Sequence, residues 1–296
     1  MIYAIGLDTD KTYIHFLKEA HRRKVEIQPI NLRALAMGEW DIVLPVNEMS
    51  ALYIDGKYVA LDPNGSYFCR LVDLASVFSN FNEATCWRGM IFGLSAWLRE
   101  IPGVVINRPG FQNHNSSKPF HENFLQSLGF LVPPSITSSD ASRLYEFACS
   151  GPTIVKTISG VRANCRIVCA DEFLDFDSSQ GPVHLQRYID GSDIRAHVIG
   201  NVIHAQLIQS SKVDYRLDYQ ESTFQKYQFP EELDQKIIEA TKKVGLTLAG
   251  WDFKLTKDNR FWCFEVNPTP AYDSYDRRAN GDITSSLIDF LINCSN

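Results

Sequence analysis

The sequence predicts a mixed α/β (α+β) fold with more than one subdomain. The chain has 296 residues and is 45% hydrophobic, which is enough to bury a sizeable core. Its beginning reads strand, helix, strand, as at the start of an open α/β layer. After Pro152, short strands and hairpin turns follow one another instead. A turn-rich stretch between the two patterns places the first domain boundary near residue 105, so we expect an open α/β domain over 1–105.

The N-terminal domain is predicted to contain two strands, two helices and a hairpin. The first helix begins at an acidic capping run, and Asp55-Gly56 marks the tip of the hairpin because both residues tolerate positive φ. The predicted segments are MIYAIGL, LDTDKTYIHFLKEAHRR, KVEIQPINL, LYIDGKYVAL and a helix from about Asn80 to Glu100.

Two helices and three strands are predicted for the middle of the chain. The first of these helices has a serine cap, Pro119 in its first turn and Gly129 as a stop, and the second also ends on a glycine. The predicted segments are SSKPFHENFLQSLGF, SSDASRLYEFACSG, PTIVKTI, RIVCA and VHLQRYI.

The C-terminal part is predicted to contain two hairpins and two helices. Gly200-Asn201 joins IRAHVI to VIHAQLIQ, and Asp258-Asn259 turns the second hairpin. The helix PEELDQKIIEATKKVG has acids in its first turn, lysines in its last and Gly245 past its end, which suits the helix dipole. A helix around SSLIDFLI follows near the end of the chain.

Composition excludes several classes of protein. The net charge is -6 and there is no long Lys/Arg run, so we expect no nucleic-acid partner. The seven cysteines are scattered without a C-x-x-C pair, and the start carries neither a basic n-region nor a long apolar stretch. These features predict a reduced, cytoplasmic protein without a membrane span. The hydrolase motifs Gly-x-Ser-x-Gly and His-Glu-x-x-His are absent from the sequence.

The second hairpin places acidic side chains in an otherwise apolar strand pair. Asp252 is expected directly opposite Glu265, where like charges normally repel, and Asn267 lies on the same face as Glu265. A cation would remove the repulsion, and these oxygen ligands suit Mg²⁺. An ordinary hairpin with a solvated polar face is the alternative. The expected register pairs Lys257 with Arg260, Trp251 with Val266, Phe253 with Phe264 and Leu255 with Trp262.

Two lysines are candidates for binding phosphate. Lys156 lies in the apolar strand IVKTI, either to reach a phosphate or to blunt an edge strand. Lys118 lies at a helix start, where a cation is unfavourable unless an anion binds nearby; an ordinary loop lysine is the other reading. The segment SGVRANCR after Lys156 is a candidate phosphate lid with Ser159, Gly160 and Arg162, although its single glycine does not make a P-loop.

The run HLQRYIDGSDIR is an apolar strand that enters a bend. Its backbone groups are candidates for contacting an adenine edge, and Asp193 for accepting from ribose hydroxyls; an ordinary connection is the alternative. Arg195 and Arg216 are candidates for bidentate contacts to phosphoryl or carboxylate groups, or for surface ion pairs. His197 and His204 are expected opposite each other, which indicates a cross-strand packing pair rather than a metal site because a third ligand is not evident.

Several of these motifs, in this order, resemble the ATP-grasp superfamily. The resemblance is greatest to the branch that contains the ribosomal protein S6 glutamate ligase and the microviridin-type (graspetide) peptide maturases, and it covers about residue 106 to the end. It implies an ATP-grasp fold in which 106–189 and 190–296 form two α+β subdomains that clasp ATP. The matching runs are NSSKPFHENFLQSLGFLVPPSITSS, PTIVKTISG, HLQRYIDGSDIRAHVIGNVIHA, DYRLD and AGWDFKLTKDNRFWCFEVNPTPAY.

The resemblance also implies roles for individual residues. Many members carry glutamate where Arg187 stands, so adenine recognition here would rely on backbone groups or on Gln186. By resemblance, the ATP phosphates would be held by Lys118 and Lys156, the ribose by Asp193, and the adenine by a hinge of Gln186, Arg187, Tyr188 and Ile189. The transferred phosphoryl group would be contacted by Arg216, with Arg195 and Lys156 as further catalytic residues. Mg²⁺ would be bound by Asp252, Glu265 and Asn267.

The family reaction activates a carboxylate with the ATP γ-phosphate, and an amine or a hydroxyl then attacks the acyl phosphate. The resemblance implies a precursor peptide as the partner, modified or macrocyclised in ribosomal peptide biosynthesis, and it leaves a homodimer open. Three alternatives stay open beside it: a small-molecule amino-acid ligase, a kinase of the ATP-grasp fold, and a nucleotide-binding scaffold without activity.

Overall fold

The computed structural model of the protein describes residues 1–44, 49–110, 113–159, 165–210 and 221–294, without the side chains of 113 and 114. It confirms the predicted mixed α/β fold. Within these ranges, the strands form four sheets, one parallel and three antiparallel. The division of the chain at residues 105 and 189 remains a prediction.

The first sheet is parallel and is buried on both faces. Along its central strand, Tyr3 and Ile5 enter one core while Ile2 and Ala4 enter another. The long helix α3 covers the first core, and the first and last helices, α1 and α8, cover the second. The strand order is β2-β1-β6-β7. The elements are β1 (Ile2–Gly6), α1 (Lys11–Arg22), β2 (Ile27–Asn31), α2 (Leu32–Ala36), β6 (Ser66–Cys69), α3 (Phe81–Glu100), β7 (Val104–Ile106) and α8 (Asp282–Asn293).

A small antiparallel sheet of β3 (Glu39–Asp41), β4 (Ser50–Ile54) and β5 (Lys57–Leu61) belongs to the same part of the chain. The predicted hairpin is confirmed, because Ile54 pairs with Lys57 across Asp55 and Gly56. These two turn residues have φ angles of 50° and 75°, as a two-residue turn of type I′ requires.

The second antiparallel sheet has the order β10-β9-β11-β8. Leu144 of α5 packs against one face, together with Leu185 from the central strand. Gly129 and Gly151, which follow α4 and α5, have φ angles of +80° and +151°, so both predicted glycine stops are confirmed. The elements are α4 (Lys118–Ser127), β8 (Ser135–Ser138), α5 (Ala141–Cys149), β9 (Thr153–Lys156), β10 (Arg166–Val168) and β11 (Val183–Arg187).

The third antiparallel sheet has five strands in the order β14-β13-β12-β15-β16. Residues that alternate along β12 divide the sheet into two faces. Ile194, Ala196 and Val198 enter a core with α6, whereas Asp193 and Arg195 lie on the other face. The elements are β12 (Ser192–Ile199), β13 (Val202–Gln209), β14 (Thr223–Tyr227), α6 (Glu231–Lys243), β15 (Leu248–Leu255), β16 (Phe261–Asn267) and α7 (Asp273–Arg278).

A buried carboxylate holds the start of α8. Asp276 accepts hydrogen bonds from the backbone N–H groups of Ile283 and Thr284, from the Thr284 hydroxyl, and from His15 Nε2 at 2.7 Å. Burial alone raises the pKa of Asp276, but the hydrogen bonds outweigh burial and hold the pKa below its usual value. The carboxylate therefore joins α1 and α7 to α8.

The register of the second hairpin is correct at one end and wrong at the other. Asp252 lies opposite Glu265, as predicted, but Phe253 pairs with Cys263 rather than with Phe264. Phe264 is therefore the extra residue of a β-bulge. Arg260 likewise pairs with Thr256 instead of Lys257, and Asn259 turns the longer loop with a φ of 60°.

Two further expectations concern histidine pairing and membrane association. His197 and His204 lie opposite each other, as predicted. The His197 ring packs against Tyr275 at 5.1 Å, while His204 Nε2 lies 2.8 Å from Ser286 Oγ, so each imidazole has its own protein partner. In the described part of the chain, every helix is too short or too polar to cross a membrane.

Candidate functional site

The candidate site lies where α4 and the second antiparallel sheet meet β16. Asn115, just before α4, donates from Nδ2 to Glu265 Oε1 at 2.9 Å. His121, inside α4, accepts from the backbone N–H of Val266 at 3.0 Å. Because one contact comes from the residues just before α4 and the other from α4 itself, the start of α4 is fixed beside the metal residues predicted on β16.

Lys118 is the first residue of α4 and reaches the segment after β9. Its Nζ donates to Thr157 Oγ1 at 3.2 Å and to the backbone carbonyl of Ser159. Burial lowers the pKa of Lys118, while the charges of Glu265 and Glu122 oppose that shift. Lys118 is partly buried near two carboxylates. Such a lysine is suited to binding an anionic ligand that carries a bound cation, because the cation offsets the negative charge of the carboxylates.

Lys156 ends β9 and lies over the aromatic ring of the bulged Phe264. The distance from Nζ to the ring centroid is 5.1 Å, within the range of a cation–π contact. Nζ also donates to Gln186 Oε1 at 2.6 Å. The pKa of Lys156 is lowered by burial, and the charge of Glu122 is the largest opposing influence. The structure therefore gives this lysine two neighbours that orient it.

The side chains of Gln186 and Arg187, the first two hinge residues, lie in different environments. The Gln186 side chain is completely buried and contacts Lys156 and Glu122. The Arg187 side chain turns towards the end of α5, where it donates to Ser150 Oγ at 2.7 Å and stacks over Phe147 at 4.4 Å. Its guanidinium also donates to the carbonyls of Phe147 and Gly151 and to the Thr153 hydroxyl.

Arg187 therefore caps the C-terminal end of a helix, where a cation is favourable. Burial lowers the pKa of Arg187. Tyr188 and Ile189 follow in the connection to β12, and the backbone N–H of Tyr188 donates to the Pro152 carbonyl at 2.9 Å. The Arg187 side chain thus holds the end of α5.

Asp193 lies on β12 and pairs with a lysine that the sequence analysis did not single out. Lys254 Nζ lies 3.2 Å from Asp193 Oδ1, and the two residues face each other across β12 and β15. The same Nζ lies 5.9 Å from the centre of the Tyr188 ring. Lys254 is only 7% exposed, so this cation joins the hinge to the residue expected at the ribose.

Arg195 and Asp252 form a partly buried ion pair on the polar face of the third antiparallel sheet. Arg195 Nη1 lies 2.8 Å from Asp252 Oδ1, and Arg195 Nε lies 3.3 Å from His197 Nε2. Burial and the neighbouring Arg195 charge hold the pKa of His197 well below its usual value, so the imidazole is a neutral acceptor. Gly250 provides room, because a Cβ there would lie 2.3 Å from Arg195 Nη2.

Asp252, Glu265 and Asn267 are brought together on two neighbouring strands. Asp252 and Glu265 are direct partners, and Asn267 pairs with Gly250 on the same face. Asn267 Oδ1 accepts from the Thr269 backbone N–H at 2.8 Å, which orients the amide. Among the described residues, there is no group of three or more His, Cys, Asp or Glu side chains that could hold a metal ion.

The predicted trio nevertheless fits Mg²⁺ by its chemistry. It offers two carboxylates and one amide, all oxygen ligands, and Mg²⁺ in nucleotide sites is bound by one or two carboxylates with phosphate and water. Arg195 contacts the Asp252 carboxylate and Asn115 contacts the Glu265 carboxylate, so a bound cation would have these side chains as neighbours.

Arg216 and most of the predicted lid, including Gly160 and Arg162, lie outside the described residues. Ser159 is described, and its carbonyl accepts from Lys118.

Four site residues were missed by sequence reasoning: Asn115, Glu122, Lys254 and Gly250. Spacing would have found three of them. Glu122 follows Lys118 by four residues on one helix, and Gly250 and Lys254 lie two residues before and after Asp252 on one strand, so each shares a face with a predicted residue. Asn115 carries no comparable pattern.

Comparison with known proteins gives three findings. A family model described as a RimK-like ATP-grasp domain matches residues 135–291, just over half of the chain. The tetrahydromethanopterin:alpha-L-glutamate ligase of Methanococcus maripaludis is 24% identical over 217 residues, which cover 68% of this chain and 73% of that protein. The fold is also found in solved structures of peptide-modifying enzymes.

The macrocyclase MdnC from Microcystis aeruginosa MRC, bound with the precursor peptide MdnA, superposes with a TM-score of 0.82 at 15% identity, covering 98% of this chain and 99% of that one. The ATP-grasp ligase PsnB, complexed with minimal precursor, Mg and ADP, has a TM-score of 0.80 at 24% identity, covering 99% and 98%. At these identities the likeness shows a common fold.

Proposed function

Because the chain belongs to the RimK-like ATP-grasp family and is an ATP-grasp ligase, we propose that it joins a side-chain carboxylate of a peptide to an amine or hydroxyl of the same peptide. The reaction consumes one ATP for each bond formed. One observation carries the proposal: two lysines suited to phosphate and the predicted metal carboxylates converge in one place. Lys156 lies over Phe264, directly before Glu265, while Glu265 is bound by Asn115, three residues before Lys118.

We place ATP between the second and third antiparallel sheets. Lys118 and Lys156 bind its phosphates. Backbone groups of residues 186–189 contact the adenine, apart from the N–H groups of Arg187 and Tyr188, which donate to Pro134 and Pro152. The Arg187 side chain is engaged with α5. Asp193, with Lys254 beside it, accepts from the ribose hydroxyls.

Asp252, Glu265 and Asn267 would hold Mg²⁺. Bound there, the cation would neutralise negative charge on the ATP phosphates and on the phosphoryl group in transfer. The basic residues of the chain share that task. Arg195 is held against Asp252 on the same face, and we assign Arg216 a contact to the transferred group by resemblance. Catalysis by these residues consists of positioning and electrostatic stabilisation.

The chemistry has two steps. A carboxylate oxygen attacks the γ-phosphorus, the bond from that phosphorus to the bridging oxygen breaks, and ADP leaves with the electron pair. The amine or hydroxyl then attacks the acyl carbon, loses its proton, and expels inorganic phosphate as the amide or ester forms. Lys156 and Arg195 are among the described residues that we expect to contact the charged groups in these steps.

A peptide is the favoured substrate class because peptide-modifying ligases share the whole fold, the N-terminal part included. Two of the similar solved structures contain precursor peptides. We propose that the carboxylate belongs to Asp or Glu and the nucleophile to Lys, Ser or Thr. The protein acts in the cytoplasm, where ATP is available, and its cysteines are all free. Association with a second copy remains a prediction for sedimentation analysis.

Mass spectrometry tests the function directly. The enzyme is incubated with ATP, Mg²⁺ and a peptide encoded by a neighbouring gene, and the expected product has lost one water for each bond formed. Lys156→Met, matched with Lys257→Met in the exposed hairpin loop, checks that the product depends on the proposed phosphate site.

Other products would contradict the proposal in informative ways. A gain of phosphate on the peptide would indicate a kinase. Unmodified peptide with ADP release in the presence of a free amino acid would indicate a small-molecule ligase, the activity class of the glutamate ligase from Methanococcus maripaludis. Binding of ATP without turnover on either substrate would indicate a scaffold.

A further inference from the structure

A cluster of buried polar side chains connects α4 to β11 beside the proposed phosphate site. Glu122 is 5% exposed, and His184 and Gln186 are completely buried. A carboxylate so far from water needs hydrogen-bond donors around it. Neither Glu122 nor His184 has a role in the ligand contacts proposed above.

Glu122 accepts from three donors on the second antiparallel sheet. Its Oε1 accepts from Gln186 Nε2 at 2.5 Å and lies 3.1 Å from His184 Nε2. Its Oε2 accepts from the Ser135 hydroxyl. The other imidazole nitrogen of His184 lies 2.9 Å from Thr137 Oγ1, which suits a ring that donates from Nε2 and accepts at Nδ1.

The carboxylate fixes the direction in which the Gln186 amide points. The amide NH₂ donates to Glu122, so its oxygen faces the other way and accepts from Lys156 Nζ at 2.6 Å. The reverse orientation would place the amide oxygen against a carboxylate and its NH₂ against an ammonium group. Both contacts would then be repulsive, and the amide has a single favourable orientation.

We propose that Glu122 is a positioning residue for Lys156 that acts through the Gln186 amide. The inference rests on the proposed nucleotide site, because it assigns a purpose to the orientation of a phosphate-binding lysine. A lysine side chain is long and flexible, so binding a phosphate costs rotamer entropy. A fixed acceptor that holds Nζ before ATP arrives reduces that cost.

Electrostatics supports the same assignment. Charged and titratable groups face Lys156 from several elements: Glu122 and Lys118 from α4, Glu265 from β16, Cys165 before β10, and His184 from β11 beside Glu122. Among the charged neighbours, Glu122 most strongly opposes the lowering of the Lys156 pKa by burial. The carboxylate thus favours the ammonium form that a phosphate requires.

A double-mutant cycle separates positioning from general structure. Glu122→Gln keeps the side-chain shape but removes the charge, and because an amide can also donate, Gln186 is no longer fixed. We expect ATP affinity, measured by calorimetry with Mg²⁺, to fall about tenfold in the wild-type background. In a Lys156→Met background the same change should alter affinity by less than about twofold, since its target is gone.

A matched control removes another donor to the same carboxylate. Ser135→Ala leaves the Gln186 link intact, so affinity should stay within about twofold of wild type. A tenfold loss with Ser135→Ala, or equal losses from Glu122→Gln in both backgrounds, would overturn the proposal. Unchanged affinity with Glu122→Gln alone would overturn it as well.

The Lys156→Met protein distinguishes failure of the proposed nucleotide site from failure of the positioning role. Equal ATP affinity in wild type and Lys156→Met would refute the proposed nucleotide site, and this inference with it. Weaker binding in Lys156→Met combined with an additive Glu122→Gln effect would refute the positioning role alone. If the Glu122→Gln chain does not fold, Gln186→Met breaks the same link and replaces it in the cycle with the same expected coupling.

Discussion

Replacing Arg187 by methionine tests whether this side chain binds the nucleotide or holds α5. Methionine keeps a long unbranched side chain but removes the charge and the donors. The resemblance placed Arg187 in the adenine hinge, whereas its guanidinium contacts the carbonyls of Phe147 and Gly151 and the hydroxyls of Ser150 and Thr153. We expect Arg187→Met to destabilise the protein and to leave ATP affinity unchanged.

The magnitude follows from the contacts that are lost. Each hydrogen bond contributes about 0.5–1.5 kcal/mol net, the cation at a helix C-terminus about 0.3–1 kcal/mol, and the Phe147 stacking about 0.5–1 kcal/mol. Arg187 is partly exposed and water replaces some of these partners, so we expect a total of about 2–3 kcal/mol. For a chain of 296 residues, with an unfolding entropy of about 2.1 cal/mol/K per residue, the corresponding fall in Tm is about 3–5 °C.

The assay combines thermal unfolding with ATP calorimetry on the same preparations. Arg166→Met is the matched control on β10, in the same sheet, because Arg166 is 62% exposed in its pair with Glu172. An exposed pair of this kind contributes less than about 1 kcal/mol. A large loss of ATP affinity in Arg187→Met with an unchanged Tm would show that the side chain contacts the nucleotide, and would refute the reasoning.

Three further replacements address the metal residues and the packing of α8. Glu265→Gln should abolish turnover, yet change the free energy of unfolding in chelator by less than about 1 kcal/mol because an amide still accepts a hydrogen bond; full activity would exclude Glu265 from the metal site. Gly250→Ala should lower kcat at least about tenfold, since a Cβ would lie 2.3 Å from Arg195 Nη2, and an unchanged kcat would contradict this. Asp276→Asn should cost about 3 kcal/mol. Burial raises the pKa of Asp276, but its hydrogen bonds lower the pKa by more, so the folded-state pKa lies below the unfolded value of about 3.9. The wild type therefore keeps the Asp276 contribution at neutral pH and loses it as the pH falls below about 3.9 and through the folded-state pKa. Urea titrations over that range should show a weaker loss of stability in the variant than in the wild type, and parallel profiles would argue against it.

Much of the fold was predictable because its determinants are local. Glycine stops after α4 and α5 and the Asp55-Gly56 turn depend on the φ angles that those residues tolerate. Strand and helix periods follow from which residues meet the core. The bulge at Phe264 was not predictable, because an alternating pattern cannot show where one extra residue leaves the ladder.

The candidate site divides in the same way. The sequence by itself determined that Asp252 faces Glu265, because apolar alternation on two adjacent strands and a short connection restrict the register near that pair. It also determined the residue types suited to phosphate and Mg²⁺.

Only the tertiary structure decided which partners these side chains take. Arg187 contacts a helix end, Lys156 contacts an amide fixed by Glu122, and Asp252 contacts Arg195. These pairs join elements whose separation in space depends on how α4 and the sheets pack together. Hydrogen bonds and buried ion pairs act over a few ångströms, so a small change in packing selects a different partner, and the periodicity of a sequence carries no information at that scale.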